Sequence, residues 1–253
     1  MKVFDLSVPT EESPSEPIPL SVVHQTHEQS AAFMASFFDV PITDLPDGKG
    51  WANDTVTLSA HSGTHVDAPW HYYPTCNGSK ARTIDQMPLE WFFGDGVVLN
   101  MTHLPNGSVV NVPDLEEALA ALDYQLKPAD IVLIRTDADT TWGQAAYFST
   151  GVGMSAASTR WLIKQGVRVM GIDAWGWDQP FEFMKQRYQE TGNPEVIWEA
   201  HRVGMDLEYC HIEKLANLRH LPRPFGFKVA CFPVKLTGGS AGWTRVTAIF
   251  QDL

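Results

Sequence analysis

The run His61-Ser62-Gly63-Thr64-His65-Val66-Asp67-Ala68-Pro69-Trp70-His71 places three histidines and one carboxylate within eleven residues. Imidazole nitrogens with a carboxylate oxygen form the donor set of zinc and manganese sites. A helix would put His61 and His65 on one face at i, i+4. Gly63, β-branched Thr64 and Val66, and Pro69 all disfavour that helix. The preceding Thr55-Val56-Thr57-Leu58-Ser59-Ala60 alternates polar and apolar residues as a half-buried strand does. The run therefore reads as a strand entering an irregular turn. In extended backbone His65 and Asp67 point to one side, and a turn at Gly63 lets His61 swing toward them. The same spacing suits a solvated histidine-bearing loop, and spacing alone leaves both readings open.

Three ligands would leave a cation with open coordination. Asp173, Asp178, Glu199, His201, Glu208, His211 and Glu213 are the further candidates. His71 follows Asp67 by four residues, and an unperturbed pKa of ~6.5 suits it to proton transfer. A third ligand of the same ion is the alternative. Neither Gly-x-Ser-x-Gly nor a Cys-His arrangement with local context occurs, so a nucleophilic mechanism is weakly supported. Trp51, Trp70, Tyr72, Trp175 and Trp177 flank the candidate ligands in sequence. Aromatics so placed favour a flat or cyclic substrate by stacking, or else serve as core.

The elements that must position these residues alternate in kind. Gly96–Met101, Asp130–Thr136 and Val167–Ile172 read as apolar strands, and Asp114–Leu122 and Ser155–Gln165 as helices. Asp114 is the expected cap of the first helix. Met87–Phe92 reads as a short helix, residues 8 to 20 as a proline-rich extended arm, and 27 to 39 as either a helix or an aromatic lid. Residues 179–199 read as a helical excursion that forms core, an oligomer contact or a wall over the site. The alternation between 114 and 172 predicts an α/β layer inside a mixed single domain spanning 1–253. A formal charge of −12 argues against nucleic acid and anionic membranes as partners. No apolar run approaches ~20 residues, and no signal-peptide core opens the chain. Three dispersed cysteines make a disulfide scaffold unexpected, so a cytoplasmic enzyme is predicted.

The composite pattern His-x-Gly-Thr-His-x-Asp-x-Pro-x-His resembles the signature of the bacterial cyclase-like metal-dependent hydrolases, which include kynurenine formamidase, isatin hydrolase and trans-dienelactone hydrolases. Glu213-Lys214-Leu215-Ala216-Asn217-Leu218 is similar to their Glu-x-Leu-x-Asn-Leu stretch, and His201 stands twelve residues before Glu213. Gly171–Asp178 resembles their Gly-Ile-Asp-x-x-Ser-x-Asp segment, with Gly176 where serine is usual. The Asp5-Leu6-Ser7 opening and the ending through Gly238, Gly239 and Arg245 resemble the family too. The resemblance implies a swivelling β/β/α architecture and one or two divalent ions, Zn or Mn. It also implies His61, His65, Asp67, His201 and Glu213 as ligands and His71 as proton carrier, with His211, two residues from Glu213, the rival to His201 if the register differs. Asp173 and Asp178 either orient ligand histidines or cap backbone amides. Arg245 meets a substrate carboxylate or forms a structural ion pair.

The function so implied is hydrolysis of an amide or lactone bond in a small aromatic or cyclic substrate by metal-activated water. A metal-dependent cyclase or dehydratase and a non-catalytic metal-stabilised binding protein are the alternatives. Relatives of this kind form homodimers or homotetramers.

Overall fold

Nine short strands hydrogen-bond into one mixed sheet, with residues 1–253 all described by a computed structural model. They are β1 (Lys2–Asp5), β2 (His65–Asp67), β3 (Phe93–Asn100), β4 (Ile131–Arg135) and β5 (Val169–Ile172), then β6 (Cys210–Glu213), β7 (Phe225–Ala230), β8 (Ala241–Trp243) and β9 (Thr247–Phe250). Their spatial order is β1-β9-β7-β3-β4-β5-β6-β2-β8. The four central strands β3 to β6 run parallel, and the flanking pairs are antiparallel. Parallel strands covered on both faces need apolar residues on both. Val97, Leu99, Val132 and Ile134 accordingly enter one core, and Val98, Ile131 and Leu133 the other. The α/β class predicted from sequence is the class observed.

The first core is covered by helices Val112–Ala121 and Ala156–Lys164 through Leu115, Leu119, Leu162 and Ile163. Ser155 caps the second by accepting from Ser158 N–H at 3.0 Å. The first is capped three residues earlier than Asp114. Asn111 is the cap, and Asp114 reaches back as its partner, accepting from Asn111 N–H at 2.6 Å. Met87–Phe92 contributes only a 3₁₀ turn, Leu89–Phe92.

Contacts divide the chain into two compact units, Met1–Pro17 with Ala60–Leu253, and Ile18–Ser59. The sheet belongs wholly to the first. In the second, Ser21–Gln25 pairs antiparallel with Asn53–Thr57. The undecided stretch 27–39 is helix His27–Phe38, started by a capping box between Thr26 and Gln29 and packed through Ala31 and Ala35. No helix of the chain is long and apolar enough to cross a membrane.

Candidate metal centre

Antiparallel pairing of β2 with β6 sets His211 opposite Asp67 and Glu213 opposite His65. Side chains alternate along a strand. The four polar residues therefore emerge on one face, while Val66 and Ile212 between them enter the opposite core. The turn before β2 brings in His61. Gly63 takes φ +62°, a left-handed conformation that glycine adopts without strain. Its N–H donates to Glu16 Oε1 at 2.7 Å, and Lys214 Nζ donates to both Glu16 oxygens at 2.9 Å and to the His61 carbonyl at 2.8 Å. Beyond β2, Pro69 opens a single helical turn, Pro69–Tyr72, that carries His71 and Tyr72 back to the cluster. His201 opens the 3₁₀ segment His201–Met205, where Asp178 accepts from Ala200 N–H at 2.8 Å, from His201 N–H at 3.1 Å and from the His201 ring at Nδ1.

Each carboxylate shows a different oxygen to each side of the cluster. Asp67 Oδ1 lies 2.9 Å from His61 Nδ1 and 3.2 Å from His65 Nε2. Asp67 Oδ2 lies 3.1, 3.6 and 3.9 Å from Nε2 of His211, His71 and His201. Glu213 Oε2 stands 3.6 Å from His65 Nε2, and Glu213 Oε1 stands 3.2 Å from His211 Nε2 and 3.8 Å from His201 Nε2. Donors bound at ~2.0–2.2 Å to one tetrahedral ion stand roughly 3.3–3.6 Å apart, the range these separations straddle. His65 Nε2 and Asp67 Oδ1 are buried without any hydrogen-bond partner. Burying such atoms unpaired is costly, and a cation accepting both lone pairs removes the cost. The residues present fit a divalent metal.

The charges agree. Burial opposes ionisation of Asp67, yet the imidazoles of His71, His65 and His61 hold its carboxyl well below the usual range. Burial and Asp67 oppose ionisation of Glu213, but His211 and His65 bring it down to about 2. Burial alone would lower His211, and its contacts with both carboxylates instead take it up to about 9. Two buried anions here attract whatever positive charge is in reach. His71 behaves differently. Burial, with His201 and His61 beside it, outweighs the pull of Asp67 and sets it at about 4.

The family profile described as "Putative cyclase" matches residues 4–179, most of the chain and the whole first motif. The chain belongs to that cyclase family. It is 28% identical over 203 residues to the kynurenine formamidase of Salinibacter ruber, spanning 78% of this chain and 79% of that protein. The kynurenine formamidase of Erythrobacter litoralis is 27% identical over 198 residues, 78% of this chain and 76% of its own. Isatin hydrolase A from Labrenzia aggregata, solved with benzyl benzoate bound, superposes with a TM-score of 0.74 at 21% identity, covering 99% of this chain and 94% of that one. That likeness shows the fold.

In this cyclase-family chain the structure brings His61, His65, Asp67, His71, His201 and Glu213 together, and adds His211. It does not gather the tryptophans in the same way. Trp177 is fully buried, donates from Nε1 to Thr159 at 3.1 Å and stacks on His211, so its ring forms a wall behind the cluster rather than a substrate surface. Trp175 packs edge-on against Phe148 and Phe181 with Lys214 Nζ 5.0 Å over its ring. Trp70 is 37% exposed beneath Lys80. Trp51 lies in the Ile18–Ser59 unit, edge-on to Phe33 and Phe37. The 179–199 excursion, which forms helix Phe181–Thr191, delivers Trp198 at its end; this ring stacks on His201 at 4.5 Å and meets His71 at 5.3 Å. Tyr72, read from sequence only as a stacking aromatic, joins the cluster through its hydroxyl, 3.1 Å from His211 Nδ1. Arg245 pairs with Asp5 at 2.8 Å, the structural reading of its charge.

Proposed function

We propose that this chain is a metal-dependent hydrolase that adds water across the amide or lactone bond of a small aromatic or cyclic substrate. The observation that carries the proposal is the buried pair His65 Nε2 and Asp67 Oδ1, neither of which completes a hydrogen bond, surrounded by further imidazoles and a second carboxylate. His61, His65, Asp67, His201 and Glu213 would hold the ions, and the imidazole-rich set favours zinc over manganese. A divalent cation there supplies Lewis acidity and lowers the pKa of water from ~16 toward neutrality. His71 does the rest of the proton work. With its pKa at about 4 it is neutral at physiological pH and free to accept a proton at Nε2. Asp67 Oδ2, 3.6 Å away, stabilises the imidazolium that forms, which then gives the proton to the departing nitrogen or oxygen. Trp198 supplies an apolar wall near that position. The named relatives support aryl amides as the substrate class, because kynurenine formamidases and isatin hydrolases act on such bonds.

The test combines metal analysis with a panel of aryl formamides, isatins and lactones. His65→Ala should lose metal, while His71→Ala should keep it and lose ~10²–10⁴-fold in turnover. Metal loss in His71→Ala would make that residue a ligand instead. A product lacking the elements of water would replace hydrolysis with ring closure or dehydration.

A further inference from the structure

The family pattern gives no role to His211, yet its side chain is tightly fixed in the cluster. Its imidazole is fully buried between the Tyr72 ring, stacked at 5.1 Å and 20°, and the Trp177 indole, stacked at 5.6 Å and 15°. Sandwiched in this way it cannot turn its ring edge, and Nε2 stays aimed at Asp67 Oδ2 and Glu213 Oε1, 3.1 and 3.2 Å away.

We infer that His211 is a protein ligand of a second divalent cation, shared with His201 and with one oxygen from each of Asp67 and Glu213. The inference rests on the metal-dependent reading above and deepens it. Ligand-capable atoms of these four residues all lie within 4.8 Å of one another. The proton inventory around Tyr72 points the same way. Tyr72 Oη accepts from His211 N–H at 3.2 Å and donates its own proton to the Asp67 carbonyl at 3.3 Å. Its remaining contact, 3.1 Å from His211 Nδ1, is therefore satisfied by a proton on Nδ1. In the neutral ring that tautomer leaves Nε2 as a bare lone pair facing two carboxylates, an arrangement that a metal ion between them satisfies. The second ring nitrogens of His65, His61 and His201 are held in the same manner. His65 Nδ1 meets the Gly63 carbonyl at 2.8 Å, His61 Nε2 meets Ser240 Oγ at 3.0 Å, and His201 Nδ1 meets Asp178. A ligand histidine is ordinarily fixed through its other nitrogen in this way.

The two positions then match, each with two imidazoles and two shared carboxylates. His211 doubles the nitrogen donors of the second position, which should bind zinc at near stoichiometric levels rather than weakly. The test is zinc reconstitution, gel filtration and elemental analysis, with competition against a chromophoric chelator for affinity. Wild type should retain two zinc ions per chain and His211→Asn one. Tyr72→Phe keeps the imidazole but removes its anchor, and should weaken the second ion ~10–100-fold, an outcome that stands even if His211→Asn fails to fold. Two tightly held ions in His211→Asn, or an unchanged second affinity in Tyr72→Phe, would overturn the assignment. A single ion in the wild type would overturn it too, leaving His211 as a protonated bridge between the carboxylates. No ion in the wild type would remove the metal reading itself.

Discussion

Asp173 and Asp178 show how two similar residues at one strand end divide the work. Asp173 accepts from Thr136 N–H and Asp137 N–H, capping backbone, whereas Asp178 grips the His201 ring. Asp178→Asn preserves shape but replaces the anionic acceptor with a neutral amide. It should lower metal affinity ~10–100-fold with little change in folding. Chelator competition checks this, and an affinity equal to wild type would reduce Asp178 to a backbone cap. The cluster was partly legible in sequence for a physical reason. His61, His65, Asp67 and His71 are local, so their spacing carries their geometry. His211 needed only its strand recognised, because His211 and Glu213 at i, i+2 must share a face. Read as an isolated candidate, His211 competed with His201; paired with β2, it stands with Glu213 on one face. Gly176, standing where serine is usual, has an explanation at this scale as well. A side chain at this position would face Glu213 Oε1, 3.7 Å from where its Cβ would stand, and that oxygen already accepts from Trp177 N–H at 2.8 Å.

Among the elements, the apolar strands and the long helices were readable because parallel strands buried on both faces and amphipathic helices write their period into the chain. The proline-rich arm was legible as irregular chain, but its anchoring was not. Its function depends on Glu16, whose partner Lys214 lies 198 residues away. That pair is almost wholly buried, with side chains 1% and 3% exposed. It ties three elements together: the arm, the Gly63 turn and the end of β6. Removing one member of a buried pair strands the other charge, at a cost of ~3–5 kcal/mol. Lys214→Met should cost that much in urea denaturation, and Lys214→Met with Glu16→Gln should recover a large part of it. A single substitution costing under ~1 kcal/mol would show that the arm is held by its apolar contacts alone, Val8 among them.

For the molecule as a whole, thirty acidic residues against eighteen basic ones make local repulsion between carboxylates a stability term. It concentrates where Asp137, Asp139 and Asp173 bring carboxylate oxygens within 4.8 Å of one another. Arg135 neutralises Asp137 at 2.8 Å and Arg219 neutralises Asp139 at 3.0 Å, but Asp173 has only hydrogen-bond donors. Burial, reinforced by Asp139 and only partly offset by Thr136, lifts its pKa from 3.8 to about 7. The sign follows from proton binding. Between those two values the folded chain holds a proton that the unfolded chain has released, so folding stability falls as pH rises and levels off above about 7. Asp173→Asn cannot ionise and keeps the Thr136 side of the hydrogen bonding. Urea midpoints of the metal-loaded wild type should therefore decline relative to Asp173→Asn from about pH 5 to about pH 8, with every other titrating group cancelling in the difference. A difference that stays level across that interval would mean Asp173 is charged in the folded protein throughout, held so by the Thr136 and Asp137 donors.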